Sequence, residues 1–117
     1  MQSSLLQETK IVRVANDAAA GQALITSSAV DMSGFDSVIF LALVGTVVSG
    51  AGEQLTVYSN PTNSNSGGKQ EGQTLAYTDP GTPSSSNGMF ACEVIKPSQR
   101  YVYATFNPTA QNVTLTE

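Results

Sequence analysis

The segment DSVIFLALVGTVV, Asp36 to Val48, leaves this chain few options. Its residues are mostly β-branched or large and apolar, with Gly34 just before it and SGAG behind it. Val, Ile, Thr and Gly are weak helix formers, so the run favours a strand over a buried helix. Successive strand side chains point to opposite faces of a sheet, so apolar residues at odd and even positions alike predict a strand buried on both sides.

Shorter segments of β-type residues flank it. KIVRVAN, from Lys10 to Asn16, predicts a first strand, and Gln22 to Ser27 a second after the Ala18 to Ala20 run is cut by Gly21. DMSGFD, Asp31 to Asp36, predicts a turn held by aspartate side chains bonding local amides. In EQLTVYSN, Leu55 and Val57 alternate with Gln54, Thr56 and Tyr58, and Asn60-Pro61 closes the strand. A polar loop, PTNSNSGGKQEG, follows from Pro61 to Gly72. QTLAYTD, MFACEVI, RYVYATF and NVTLTE complete a series of about eight short strands set off by turn clusters. The expected fold is all-β: one two-sheet sandwich or jelly-roll-like domain over residues 10–117, behind a flexible N-terminal arm, residues 1–9. A closed barrel gives a similar pattern.

Charge and chemistry narrow the function. Charged residues make up 12% of the chain, against about 25% in a typical domain, and polar uncharged residues take their place. The five basic residues, Lys10, Arg13, Lys69, Lys96 and Arg100, are scattered and the net charge is −4, which argues against nucleic acid as a partner. The longest apolar run, Val38 to Val48, is about half the ~20 residues that span a bilayer, and Gly45 and Thr46 interrupt it. The start MQSSLLQETK lacks the basic and apolar regions of a secretory signal, so synthesis and use in a cytoplasm are expected.

With no His and one Cys in the chain, the Ser-His and Cys-His nucleophile pairs and the usual zinc ligand sets are missing. Cys92 sits beside Glu93 with no cation adjacent and is expected to be an inert buried thiol. Glu53, Glu71, Asp79 and Glu93 are the carboxylates from which a hydrolytic pair would have to come, but nothing in the pattern marks an aromatic-lined cleft. GAGEQL, Gly50 to Leu55, is a hairpin turn rather than a phosphate cradle. Neither catalysis, cofactor nor metal is expected.

Two stretches suggest contacts instead. Leu5 and Leu6 are apolar in an otherwise polar arm, which is either frayed or anchored on a neighbouring chain. In VIKPSQRYVYATF, Pro97 marks the end of a strand or a corner between sheets. Beyond it, Val102, Ala104 and Phe106 point to the core, while Tyr101, Tyr103 and Thr105 line the other face, with Arg100 turned out at the rim; such a tyrosine row packs across strands more often than it meets a partner, and Tyr101 and Tyr103 are the candidates if it does meet one.

KIVRVANDAAAG, SSAVDMSGFDSVIFLALVGTV and VIKPSQRYVYATF, taken in that order, resemble small virion proteins of tailed bacteriophages and prophages. The resemblance runs from about Lys10 to Phe106 and rests on Asp31, Gly34, Phe35 and Asp36 in one motif and Pro97, Arg100, Tyr101 and Val102 in the other. It implies a capsid decoration, or cement, protein on the outer surface of the head, bridging neighbouring major capsid protein subunits and forming a homodimer or homotrimer. The matched positions are then fold determinants: Gly34 permits the turn, Asp31 and Asp36 cap it, and Phe35 fills the core. The polar ending NPTAQNVTLTE departs from the apolar strand that family members place there. The alternative is a tail- or baseplate-associated β-module binding carbohydrate or a host surface.

Overall fold

The computed structural model of the chain describes residues 9–16, 18–21, 24–47, 52–78, 88–108 and 113–115. Nine strands form among them: β1 (Ala18–Gly21), β2 (Ile25–Thr26), β3 (Val30–Asp31), β4 (Ser37–Val47), β5 (Gly52–Asn60), β6 (Lys69–Thr78), β7 (Met89–Ile95), β8 (Tyr101–Pro108) and β9 (Val113–Leu115). They make two antiparallel sheets, one ordered β1-β9-β4-β7 and the other β2-β8-β5-β6, with β3 also paired to β8. This is the all-β two-sheet sandwich that the strand and turn pattern predicts.

The core lies between the sheets. Phe40, Ala42 and Val44 of β4 face Leu55 and Val57 of β5 and Val102, Ala104 and Phe106 of β8, with Met32 closing one end. Phe90, Cys92 and Val94 of β7 pack against this cluster, and the Phe90 and Phe106 rings meet at 5.9 Å between centroids. Every residue in these rows is two positions from the next, as a pleated strand with one buried face requires.

Several expected elements shift. Lys10–Asn16 forms no strand: Ile11 and Val12 are exposed, and the segment is tied in by Val14, whose carbonyl accepts the Ser28 N–H at 2.9 Å. Ile11 and Val12 are consecutive, so neither face of such a strand would be uniformly apolar. The Ala-Ala-Ala-Gly run, expected to lie outside any strand, is itself β1, and the strand expected over Gln22–Ser27 reduces to β2. The end of the presumed loop, Lys69 to Gly72, belongs to β6. Gly72 carries φ +71° where the β5–β6 register shifts, a left-handed bulge position that suits glycine.

The largest correction concerns burial. Ser37–Val47 of the long apolar run does form β4, but among the described residues only one of its faces is covered. β5, expected to alternate between buried and exposed, is the strand enclosed almost throughout.

Candidate functional site

The uncovered side of β4 is the most distinctive surface among the described residues. Ile39, Leu41 and Leu43 are 55%, 57% and 40% exposed, and on the neighbouring β7 Met89 and Ile95 are 59% and 66% exposed. The register sets Leu43 opposite Met89, Leu41 opposite Ala91 and Ile39 opposite Glu93. These side chains therefore form two adjacent columns on one face, with a single carboxylate, Glu93, among them. A lone exposed leucine means little, but a contiguous apolar patch on a sheet is a candidate interaction surface.

None of these five residues was singled out by the sequence reading, which assigned the run to a doubly buried strand. A sandwich has only two layers, so each sheet has one covered face. An unbroken apolar run must then show half of its side chains to the outside unless something else lies over it.

The turn predicted at DMSGFD is present. Ser33 N–H donates to Asp31 Oδ1 at 2.9 Å, and Gly34 has φ +86°. Arg100, far along the chain, grips the same carboxylate with Nε and Nη2, both at 2.9 Å, and lies over the Tyr101 ring at 5.2 Å. The hydrogen bonds from Arg100, then that from Ser33, hold the Asp31 carboxyl down at about 2; Asp31 in turn raises that of Arg100. The two motifs behind the phage resemblance thus meet through one ion pair, a link that no local pattern indicates.

Two assigned roles fail. Phe35 is 43% exposed and does not fill the core; it lines a shallow groove with Met32, Lys96, Pro97 and Arg100. Asp36 does not cap the turn but extends the β4–β7 ladder, its carbonyl accepting the Lys96 N–H at 2.6 Å. Pro97 stands at the corner where the chain crosses from β7 in one sheet to β8 in the other, next to Lys96 at φ 51°.

The tyrosine row follows the predicted alternation, but it is closed. Tyr103 is 4% exposed and stacks on Tyr58, opposite it across the ladder, at 5.2 Å and 15°. Its hydroxyl accepts the Gly68 N–H at 3.0 Å, so the loop after β5 folds back over it. Asn60 Nδ2 bonds Ser66 O at 2.9 Å and Asn65 Nδ2 bonds Ser27 O at 3.0 Å, fastening the loop. Tyr103 is therefore unavailable to a partner, while Tyr101 is half-buried under Arg100. Leu5 and Leu6 lie outside the described residues.

The carboxylates do not converge into a reactive pair. Glu53 is enclosed at the start of β5, and Asp79 is outside the described residues. Glu71 and Glu93 both border the groove between β6 and β7. Glu71 Oε1, however, accepts Ser59 Oγ at 2.6 Å and Ser98 N–H at 3.0 Å, as well as Ser98 Oγ. Burial raises the Glu71 pKa, but the hydrogen bonds from Ser59 and Ser98 outweigh it and leave the group below its ordinary value. This arrangement clasps β6 to the corner before β8. Cys92 is half-buried beside the same groove, and burial pushes its thiol up.

Comparison with protein-family models, with curated proteins and with solved structures finds no match to the chain.

Proposed function

We propose that this chain is a structural virion protein that decorates the outer surface of an assembled phage capsid and bridges neighbouring major capsid protein subunits. The observation that carries the reading is the exposed apolar face formed by Ile39, Leu41, Leu43, Met89 and Ile95. The order of motifs that resembles small phage virion proteins supplies the setting, and a surface poor in charge suits protein rather than nucleic-acid contact.

Magnitudes explain why such a protein acts in many copies. Burying the remaining exposed half of each of these side chains contributes about 1 kcal/mol, or about 5 kcal/mol together. Association costs of about 4–15 kcal/mol offset that gain, so one face on one subunit binds weakly. A protein contacting two subunits of a fixed lattice gains from multivalency, and ligands that bind only the assembled shell stabilise it by mass action. The tail-module alternative has less support: sugars stack on exposed aromatic rings, whereas Tyr103 is buried, Tyr58 is stacked on it, and Phe35 is a single exposed ring on a shallow groove.

Quantitative mass spectrometry of purified virions tests the role. Decoration requires copy numbers on the order of hundreds per particle; about a dozen or fewer would move the protein to the tail. Capsid occupancy of the triple variant Ile39→Thr, Leu41→Thr, Leu43→Thr tests the face. Occupancy should fall sharply while the melting temperature of the free protein stays close to wild type, and undiminished occupancy would remove this face from the reading.

A further inference from the structure

We infer that β7 is a self-pairing edge: two copies of the chain join through their β7 strands, antiparallel about a two-fold axis at Cys92, into one continuous eight-stranded sheet. This interface uses the backbone edge of β7, at the border of the apolar face, and can be tested without any capsid.

The four sheet edges differ in a telling way. β1 and β2 are short, at 4 and 2 residues. β6 is long but carries Lys69 and the Gly72 bulge, devices that discourage edge-to-edge pairing. β7 has neither. Its seven residues, Met89 to Ile95, include no Lys and no Pro and pair with β4 in unbroken register, and among the described residues no strand occupies its other side. β7 is thus the long edge without a lysine, a proline or a bulge, with Glu93 its one charge and a groove toward β6 beneath it.

The backbone directions fix which groups are on offer. Gly88 O accepts the Val44 N–H at one end of the strand and Lys96 N–H donates to Asp36 O at the other. In an antiparallel ladder the residues bonded to one neighbour alternate with those facing away. Even-numbered residues of β7 therefore bond β4, and Met89, Ala91, Glu93 and Ile95 direct their N–H and C=O groups to the open side.

Those groups are self-complementary in one register. Cys92 is the middle residue of the strand. Centring the two-fold there sets Met89 against Ile95 of the second copy and Ala91 against its Glu93, so all four outward residues of each copy find hydrogen-bonding partners. Moving the centre to Ala91 or Glu93 shortens the ladder by two residues, and the second choice also places the two carboxylates directly opposite each other. The charge pattern and the length of the ladder thus select the same pairing, and a second copy satisfies both without any further assumption about the partner. The two-fold is normal to the sheet, so the two apolar faces merge into one surface of twice the extent.

A seven-residue edge runs about 24 Å and across two layers covers less than the ~800 Å² per partner of a standard interface. The pair is accordingly weak in dilute solution and forms as concentration rises. At its centre the two Cys92 residues form a non-hydrogen-bonded pair with Cα atoms about 4.5 Å apart, within the ~4.4–6.8 Å that a disulfide spans.

The test is mild oxidation of the purified protein with diamide over a concentration series, alongside sedimentation equilibrium. Wild type should give a covalent dimer whose yield tracks the reversible dimer. Ala91→Lys, facing Glu93 of the other copy, should tighten dimerisation, and Ala91→Glu should weaken it, each about fivefold over two symmetric contacts. Both changes lie on the exposed face, and thermal melts verify that the variants fold. In Cys92→Ser with Val94→Cys, the two thiols stand about 14 Å apart in this register, so no cross-link should form. A protein that stays monomeric at every concentration overturns the inference. So does cross-linking of equal yield in Ala91→Lys, Ala91→Glu and the relocated-cysteine variant, which would mark random collision.

Discussion

β4 and β5 invert what their compositions suggest. β4, SVIFLALVGTV, is the most apolar stretch of the chain, yet Ile39, Leu41 and Leu43 stand exposed. β5, GEQLTVYSN, is largely polar, yet Glu53, Thr56, Ser59 and Asn60 are buried along with Leu55 and Val57. The difference lies in what covers each outer face. β5 is central in its sheet, with β6 and β8 on either side, and the loop after it folds over the Tyr58–Tyr103 pair. The outer face of β4 has no such cover among the described residues. A polar strand can be buried when its groups are bonded: Thr56 pairs with Thr74 at 2.9 Å, and Ser59 with Glu71. The open apolar face of β4 is the surface on which the proposed capsid contact rests.

The sharpest way to break this contrast is to make the same substitution in both strands. Leu55 is 3% exposed and Leu41 is 57% exposed. Leu55→Ala removes side-chain carbons from the core and leaves a cavity, and should cost about 2–5 kcal/mol of stability in denaturant unfolding. Leu41→Ala should change stability by no more than about 0.5 kcal/mol, despite lying in the more apolar strand. Equal losses would mean that the outer face of β4 is covered within the monomer, and the interaction face would be lost with it.

A second test lifts the cover from β5. A Cβ added at Gly68 would sit 2.7 Å from the Ser59 carbonyl oxygen and 2.8 Å from Tyr103 Cε1. The first of these contacts is backbone and cannot swing aside. Gly68→Ala should therefore push the loop off the tyrosines at a cost of about 1–3 kcal/mol and raise amide exchange along residues 61–68. Unchanged stability and exchange would show that the loop does not hold the outer face of β5.

The contrast also separates what the sequence could reveal from what it could not. Apart from the early start of β6 at Lys69, strand positions from Ser37 onward follow from local residue types and turn signals, and β7 and β8 lie where the alternation of MFACEVI and RYVYATF puts them. Burial is a property of neighbours, and the sequence does not say which strand will be central. β5 owes its enclosure to pairing with β8, which begins some forty residues later. The closure of Tyr103 depends on a loop whose composition reads as a generic polar linker. The Asp31–Arg100 pair joins residues separated by 69 positions, beyond the reach of any periodicity. Alternation did place Tyr103 on the face away from Val102 and Phe106, which is the part of that prediction that needs only a pleat.

A milder probe of the same cover is Tyr103→Phe, which keeps the stack on Tyr58 and deletes only the acceptor for Gly68 N–H. A buried hydrogen bond of this kind contributes about 1 kcal/mol, so the melting midpoint should drop less than in Gly68→Ala, with exchange at Gly68 rising selectively. A full-sized loss would mean that the hydroxyl holds more of the loop than its single bond to Gly68.

The smallest effect is expected at the rim, where Asp31 and Arg100 tie the turn before β4 to the corner leading into β8. The folded-state pKa of Asp31 is lowered to about 2 from an ordinary 3.8, chiefly by the hydrogen bonds from Arg100. A depressed carboxylate stabilises the fold above its unfolded pKa, and that contribution fades as pH falls from about 3.8 through about 2. The pair is solvent-exposed and screened by salt, so the contribution is modest. Glu71, also held below its ordinary value, adds a loss in the same direction. Melting curves of wild type and Asp31→Asn between about pH 5 and pH 2 separate the two: the variant should begin slightly less stable, converge on wild type in the acid, and show a smaller gap in high salt. Parallel curves over the whole range would mean that the ion pair orients the turn without stabilising it, leaving the contrast between β4 and β5 as a matter of coverage alone.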